Sequence, residues 1–222
     1  MDRHLCLVKL YNTSEESNSK DYSGIGVLIS NAFVIVIAFI QNWDLGPMMF
    51  IYWAQSVIIG FFHFFRMILL KNFNTEGFTS GGKPVPANSK GKWSTALFFT
   101  VHYGFFHIGY LIFILSLPME TENAPEGGLW FRLSILGFFL GHGYSFFQNV
   151  RADLKNQPNL GLMMFLPYAR IIPMHLTIFI GNAVGSNRIA VLAFSLLKTG
   201  ADYLMHIVEH RMLQKKVEQE GQ

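Results

Sequence analysis

Seven of the eight histidines in this 222-residue chain stand inside stretches apolar enough to cross a bilayer: His63, His102, His107, His142, His175, His206 and His210. Ionisable side chains at membrane depth are costly and rare, so each is first read as functional. Imidazoles with few carboxylates suit zinc, iron, copper or nickel. The single cysteine, Cys6, lies in a polar leader, so neither a thiolate site nor a disulfide framework is expected. The most specific local pattern is Lys198, Asp202, His206 and His210, each four residues after the last. Residues so spaced share one helical face, about 6 Å apart. His206 and His210 are therefore placed to ligate one divalent ion or two neighbouring ions. Asp202 would be a third ligand or the group that orients an imidazole and takes a proton.

Other runs add chemistry. His102 and His107, in HYGFFH, are five apart, which separates them by roughly 140° around a helix and roughly 7.5 Å along it. His142 sits between Gly141 and Gly143, small residues that let a helix or a flat ligand approach closely. LPYARIIPMH carries Pro167 and Pro173, and an interrupted helix at membrane depth is tolerated only where it is buried or lines a cavity. Arg170, within that run, would bind an anionic group such as a lipid phosphate or reach the cytoplasmic interface.

The elements that must position these residues follow from composition. The chain is 51% hydrophobic and only 14% charged, against about 25% charged in an ordinary soluble domain. Six runs are long enough to span a hydrocarbon core: 22–40, 47–70, 93–117, 129–150, 162–184 and 188–210. The first lacks the cleavage site of a signal peptide and is read as a retained helix. Lys and Arg concentrate in the leader, the loop after the second run, the loop after the fourth, and the tail, whereas QNWDLG and PMETENAPEGG hold none. The positive-inside rule then puts both termini in the cytoplasm, with Arg188 the one exception. The expected fold is all-α: a polar cytoplasmic leader (1–21), a six-helix transmembrane domain (22–210) with a flexible cytoplasmic loop (71–92), and a charged cytoplasmic tail (211–222).

With that topology, His63, His102, His142, His175, Asp202 and His206 come out roughly 6–14 Å below the cytoplasmic face, by the rise of a helix. His63, His102, His142, His175, His206 and His210 are accordingly the candidate metal ligands. Gln55, His107 and Asn182 fall deeper and form a candidate second polar layer, an access path or substrate site.

The stretches YWAQ (Tyr52 to Gln55), HYGFFH (His102 to His107), RIIPMH (Arg170 to His175) and LKTGAD (Leu197 to Asp202), with His206 beyond, resemble an uncharacterised bacterial family of small polytopic membrane proteins, a domain of unknown function. That family often has Glu where this chain has Gln55. The resemblance implies a polytopic fold and brings no reaction. At the level of the site, His206 and His210 are similar to the last-helix zinc motif of the membrane hydrolases that include adiponectin receptors and alkaline ceramidases. That likeness implies His102 as a third zinc ligand.

The expected protein is thus a multi-pass protein of a bacterial inner membrane with an intramembrane polyhistidine site for a divalent metal, either zinc or iron or copper. Its partners would be membrane lipids and a hydrophobic or lipid-like substrate, with no nucleic acid. The leading function is a metal-dependent, hydrolase-like enzyme with Asp202 and Arg170 in catalysis. The alternatives are b-type haem in an electron-transfer or oxidoreductase protein, which paired histidines at equal depth would suit, and a metal or proton transporter.

Overall fold

A computed structural model describes the backbone of residues 23–116, 127–173, 175–176 and 188–219. Asn182 and the leader lie outside the described residues, as do the side chains of His206 and His210.

Among the described residues the fold is all-α, with six named helices: α1 (Ser23–Ile40), α2 (Leu45–Leu69), α3 (Ser89–Leu115), α4 (Gly127–Lys155), α5 (Leu160–Ala169) and α6 (Arg188–Gln219). Local chemistry sets several boundaries. Asn42 adopts a left-handed backbone (φ 49°) that turns the chain between α1 and α2, a conformation asparagine tolerates better than most residues. Asn88 and Asn159 cap α3 and α5, each side-chain oxygen accepting from a backbone N–H three residues on, both at 3.0 Å. Within the fifth apolar run the ten-residue α5, which carries Pro167, gives way at Arg170, because Pro173 has no N–H to offer the Ala169 carbonyl four residues before it and crowds that turn; helical backbone returns at 172–173. The tail continues α6 as far as Gln219. Among the described helices, α2 and α3 have both the length and the apolarity to cross a membrane; α5 and the stretch Asn31–Ile40 of α1 are shorter apolar helices.

Helix α2 is the hub, packed against α3 and α4 most extensively and against α5 and α6 as well, while α1 lies along α6. Its buried face includes Met48, Met49, Ile51, Tyr52 and Met67. Two glycines allow the close approach. A Cβ on Gly60 would stand 2.5 Å from the Tyr103 ring, and one on Gly143 would stand 3.3 Å from Phe62. The flank of His142 thus admits a neighbouring helix through Phe62, which also stacks near Phe139 and Phe146 at 5.3 Å.

The connector 71–92, expected to be flexible, carries definite structure. Strands β1 (Thr79–Ser80) and β2 (Lys83–Pro84) form a small antiparallel hairpin, and the ring of Phe78 rests on Gly161 of α5. Asn74 accepts from the Leu160 N–H (2.9 Å), donates its own N–H to Pro158 O (3.1 Å), and accepts from the Asn159 side chain (2.9 Å). The Asn74 and Asn159 amides also donate to the carbonyls of Gln157 and Glu76, both at 2.9 Å, and composition does not distinguish a loop so held from a solvated linker.

At the same end, Arg66 of α2 and Asp153 of α4 form a bidentate ion pair, with side chains only 7% and 2% exposed. One turn earlier His63 Nε2 donates to the Met163 carbonyl of α5 at 2.5 Å. Breaking a buried pair strands a charge at about 3–5 kcal/mol. Asp153→Ala should therefore lower the thermal unfolding midpoint in detergent sharply, and Arg66→Met added to Asp153→Leu should recover most of the loss. A single variant as stable as the parent would show that the pair is not shielded.

Candidate functional site

Helix α6 places Lys198 and Asp202 one turn apart on one face, and their side chains meet: Nζ donates to Oδ1 at 2.7 Å, with exposures of 0% and 2%. Four other elements converge on this pair. From α1, Asn31 Nδ2 donates to the second carboxylate oxygen, Oδ2, at 3.4 Å. From α2, the Tyr52 ring lies 5.6 Å from the Lys198 ammonium, a cation–π arrangement that supplements the single acceptor. Tyr52 also meets Phe194 of α6 edge-on at 5.5 Å, with Ser195 beside its hydroxyl. From α4, His142 comes within electrostatic reach of Asp202, as does Arg170, the residue that ends α5. Gln55 of α2 closes the ring, its amide nitrogen donating to His142 Nε2 at 3.4 Å. Its other amide atom, Oε1, is buried with no hydrogen-bond partner among the described residues.

Asp202, Arg170, His142 and Gln55 are therefore brought together as residues of one polar cluster. Asn31, Tyr52, Ser195 and the depth of Lys198 were not singled out by sequence reasoning. The available signals were a lone asparagine in the apolar run of α1 and a lysine at the head of the four-residue repeat. Positions 206 and 210 follow Asp202 on the same helix at intervals of one turn.

Four further histidines have partners of their own. His102 Nδ1 lies 2.8 Å from the Tyr168 hydroxyl, and His175 Nε2 lies 2.8 Å from the Tyr110 hydroxyl. His63 is held by the Met163 carbonyl. His107 donates from Nδ1 to the Tyr103 carbonyl at 2.8 Å, leaving Nε2 buried as a lone-pair acceptor with no partner among the described residues. The Tyr103 hydroxyl in turn bonds Ser56 at 2.8 Å. Gln55 meets His142, while His107 meets Tyr103 and Trp53. Trp53, whose indole donates to the His107 carbonyl at 2.9 Å, sits about 200° around α2 from Gln55 at 100° per residue. Among the described residues, no group of three His, Cys, Asp or Glu is close enough to hold a metal ion.

Comparison with known proteins gives one match. The family described as "Family of unknown function (DUF6498)" covers residues 13–219. No curated protein and no solved structure matches.

The geometry makes the Lys198–Asp202 pair testable on its own. Lys198→Met or Asp202→Ala should each destabilise the protein by about 3–5 kcal/mol, since each leaves one buried charge unpaired. The double change Lys198→Met with Asp202→Leu should be milder than either, as measured by denaturation in detergent. Additive losses in the double variant would refute a direct pair.

Proposed function

This chain belongs to the DUF6498 family of unknown function, and from that starting point we propose that it is a six-span integral membrane protein, both termini cytoplasmic, housing a metal-dependent enzyme for a lipid-like substrate. The observation that carries the reading is the fully buried Lys198–Asp202 pair, ringed by His142, Arg170, Gln55 and Asn31 from four other elements. Ionisable groups buried in an apolar bundle mark substrate or ion sites more often than they serve stability.

The surface supports a bilayer environment. Large apolar side chains stand exposed on every helix: Phe33 and Ile40 on α1, Phe61 on α2, Val101, Phe105 and Ile112 on α3, Leu140 and Phe147 on α4, Phe165 on α5, and Ile189 and Leu204 on α6. A water-soluble chain rarely leaves so continuous an apolar surface uncovered. The spans beyond α2 and α3 rest on the sequence runs and on the Lys and Arg pattern of the loops, and the bacterial inner membrane is the location they fit.

In this reading the metal ligands narrow to His142, Asp202 and His206, with His210 one turn further along α6. His102 and His175 are assigned to their tyrosines, and His63 to joining α2 with α5. Zinc fits a nitrogen and oxygen donor set of this kind and would supply a hydroxide at neutral pH. Asp202 then either binds the ion in place of the Lys198 ammonium or takes a proton that Lys198 helps to hold. His142 would bind the ion through Nε2 in place of the Gln55 amide, whose nitrogen meets that lone pair here.

The test is elemental analysis and an optical spectrum of protein purified in mild detergent. Stoichiometric zinc without visible absorption is the expected outcome, and His206→Ala and Asp202→Asn should each lower the metal content while the protein still inserts in the membrane. Full metal occupancy in both variants would remove these residues as ligands. A Soret band lost on changing His102 or His142 would assign haem instead.

A further inference from the structure

Among the described helices α3 is one of the two with the length and apolarity to cross a membrane, and it carries an imidazole on its outer surface. His102 is exposed and lies nine residues beyond Trp93. With Trp93 in the interfacial belt, that is about 14 Å along the helix, near the middle of a hydrocarbon core about 30 Å thick. The ring is held in place by its neighbours. The Tyr168 hydroxyl of α5 meets Nδ1 at 2.8 Å, Phe98 stacks on the ring at 5.2 Å and 14°, and Phe106 meets it edge-on at 5.1 Å. Phenol is the stronger donor and imidazole nitrogen the stronger acceptor, so Tyr168 donates to Nδ1 and the ring carries its proton on Nε2. Nε2 has no hydrogen-bond partner among the described residues. At the level of the acyl chains water does not supply one. The result is an oriented N–H donor that faces lipid.

We propose that His102, oriented by Tyr168, is the docking point for a lipophilic quinone, a flat ring with one carbonyl accepting from Nε2. Depth selects this class of ligand. Phospholipid phosphates and ester groups stay in the interfacial regions outside the hydrocarbon core, whereas an uncharged ring on an alkyl or isoprenoid tail dissolves among the acyl chains. The walls suit a planar head. Phe98 on α3 and Phe165 on α5 are both exposed beside the pair, with Phe165 6.4 Å from the Tyr168 ring, and aromatic faces accept a second ring in offset stacking. A second protein helix is a poorer occupant. Its backbone carbonyls are used within the helix, and the exposed Phe98, Val101 and Phe105 hold off the close approach that small residues permit. The site uses none of the residues assigned to the metal, and it rests on the membrane-spanning part of the reading above.

The experiment uses the full chain and begins with carbonate washing of membranes. Release of the chain would overturn the membrane reading and this site with it; retention leaves the site to be tested alone. The retained protein is purified in detergent with EDTA, so that loss of metal and loss of the quinone site are separate results. The probes are decyl-trimethyl-p-benzoquinone, fully substituted so that it does not alkylate Cys6, and decylbenzene, which has no acceptor. The quinone should raise the thermal unfolding midpoint saturably, and decylbenzene should not. One infrared carbonyl band of the bound quinone should move to lower frequency. His102→Phe keeps a ring for Phe98 and should weaken binding roughly three- to tenfold, the loss of one hydrogen bond, and should remove the shifted band. His102→Gln retains a donor and should restore part of both. Tyr168→Phe frees the imidazole to carry its proton on either nitrogen and should weaken the shifted band, which supplies the test should His102→Phe fail to fold. Equal stabilisation by the two probes, or a shifted band unchanged in the His102→Phe or Tyr168→Phe protein, overturns the proposal. Self-association abolished by His102→Phe, with no response to quinone, would assign the donor to a second copy and overturns it as well.

Discussion

A lysine ammonium and an aspartate carboxylate, 2.7 Å apart and shielded on all sides, govern how the helices of this protein assemble. Neither charge could be buried singly without a penalty of several kcal/mol, and their attraction repays burial only if the remaining polar atoms also find partners. The surrounding elements meet that requirement one by one. Helix α6 must stay helical through 198–202 to keep the pair in contact. Helix α1 must bring Asn31 to the free carboxylate oxygen. Helix α2 must turn Tyr52 beneath the ammonium and Gln55 toward His142. The pair thereby ties α1, α2, α4 and α6 to one register, with Arg170, where α5 ends, within electrostatic reach of Asp202.

A second set of polar contacts runs along the seam of α3 with α5 and the residues that follow it. There His102 meets Tyr168 and His175 meets Tyr110, imidazole against phenol in both cases. The Tyr103 ring packs against both His107 and Tyr168, at 4.1 and 5.6 Å. Tyrosine is well suited to this position because its ring counts as core while its hydroxyl satisfies a nitrogen that hydrocarbon cannot. These pairings give His102 and His175 hydrogen-bond partners within an apolar bundle. At the cytoplasmic end of the proposed topology, Arg66–Asp153 and the Asn74–Asn159 contacts perform the same service for α2, α4 and α5.

Much of this was legible from the chain. Each of the six apolar runs overlaps one of the six helices among the described residues, and prolines 167 and 173 bracket the interruption that follows α5. The spacing of Lys198, Asp202, His206 and His210 located the most charged helical face, and two of its members do form the central contact. Asn31 and Tyr52 escaped notice because an isolated asparagine or tyrosine in an apolar run has no periodic partner to flag it. The hairpin within 71–92 was not legible for a related reason, since glycine, serine and lysine describe a solvated linker and a docked hairpin equally well.

The limit of such reading is geometric. Position along a helix is a linear quantity, fixed by residue count and a constant rise, so depth and helical face can be computed for every histidine from the sequence. Which neighbour a face meets depends on how each helix is rotated and which helices adjoin it, and that is set by packing across the whole bundle: by Gly60 admitting Tyr103, Gly143 admitting Phe62, and Phe78 seating on Gly161. Chain order therefore dictated the helices, the interruption and the face that carries the charges. Rotation and contact, which no local pattern encodes, chose tyrosines for His102 and His175, a carbonyl for His63, and the company of Asp202 for His142 and Arg170.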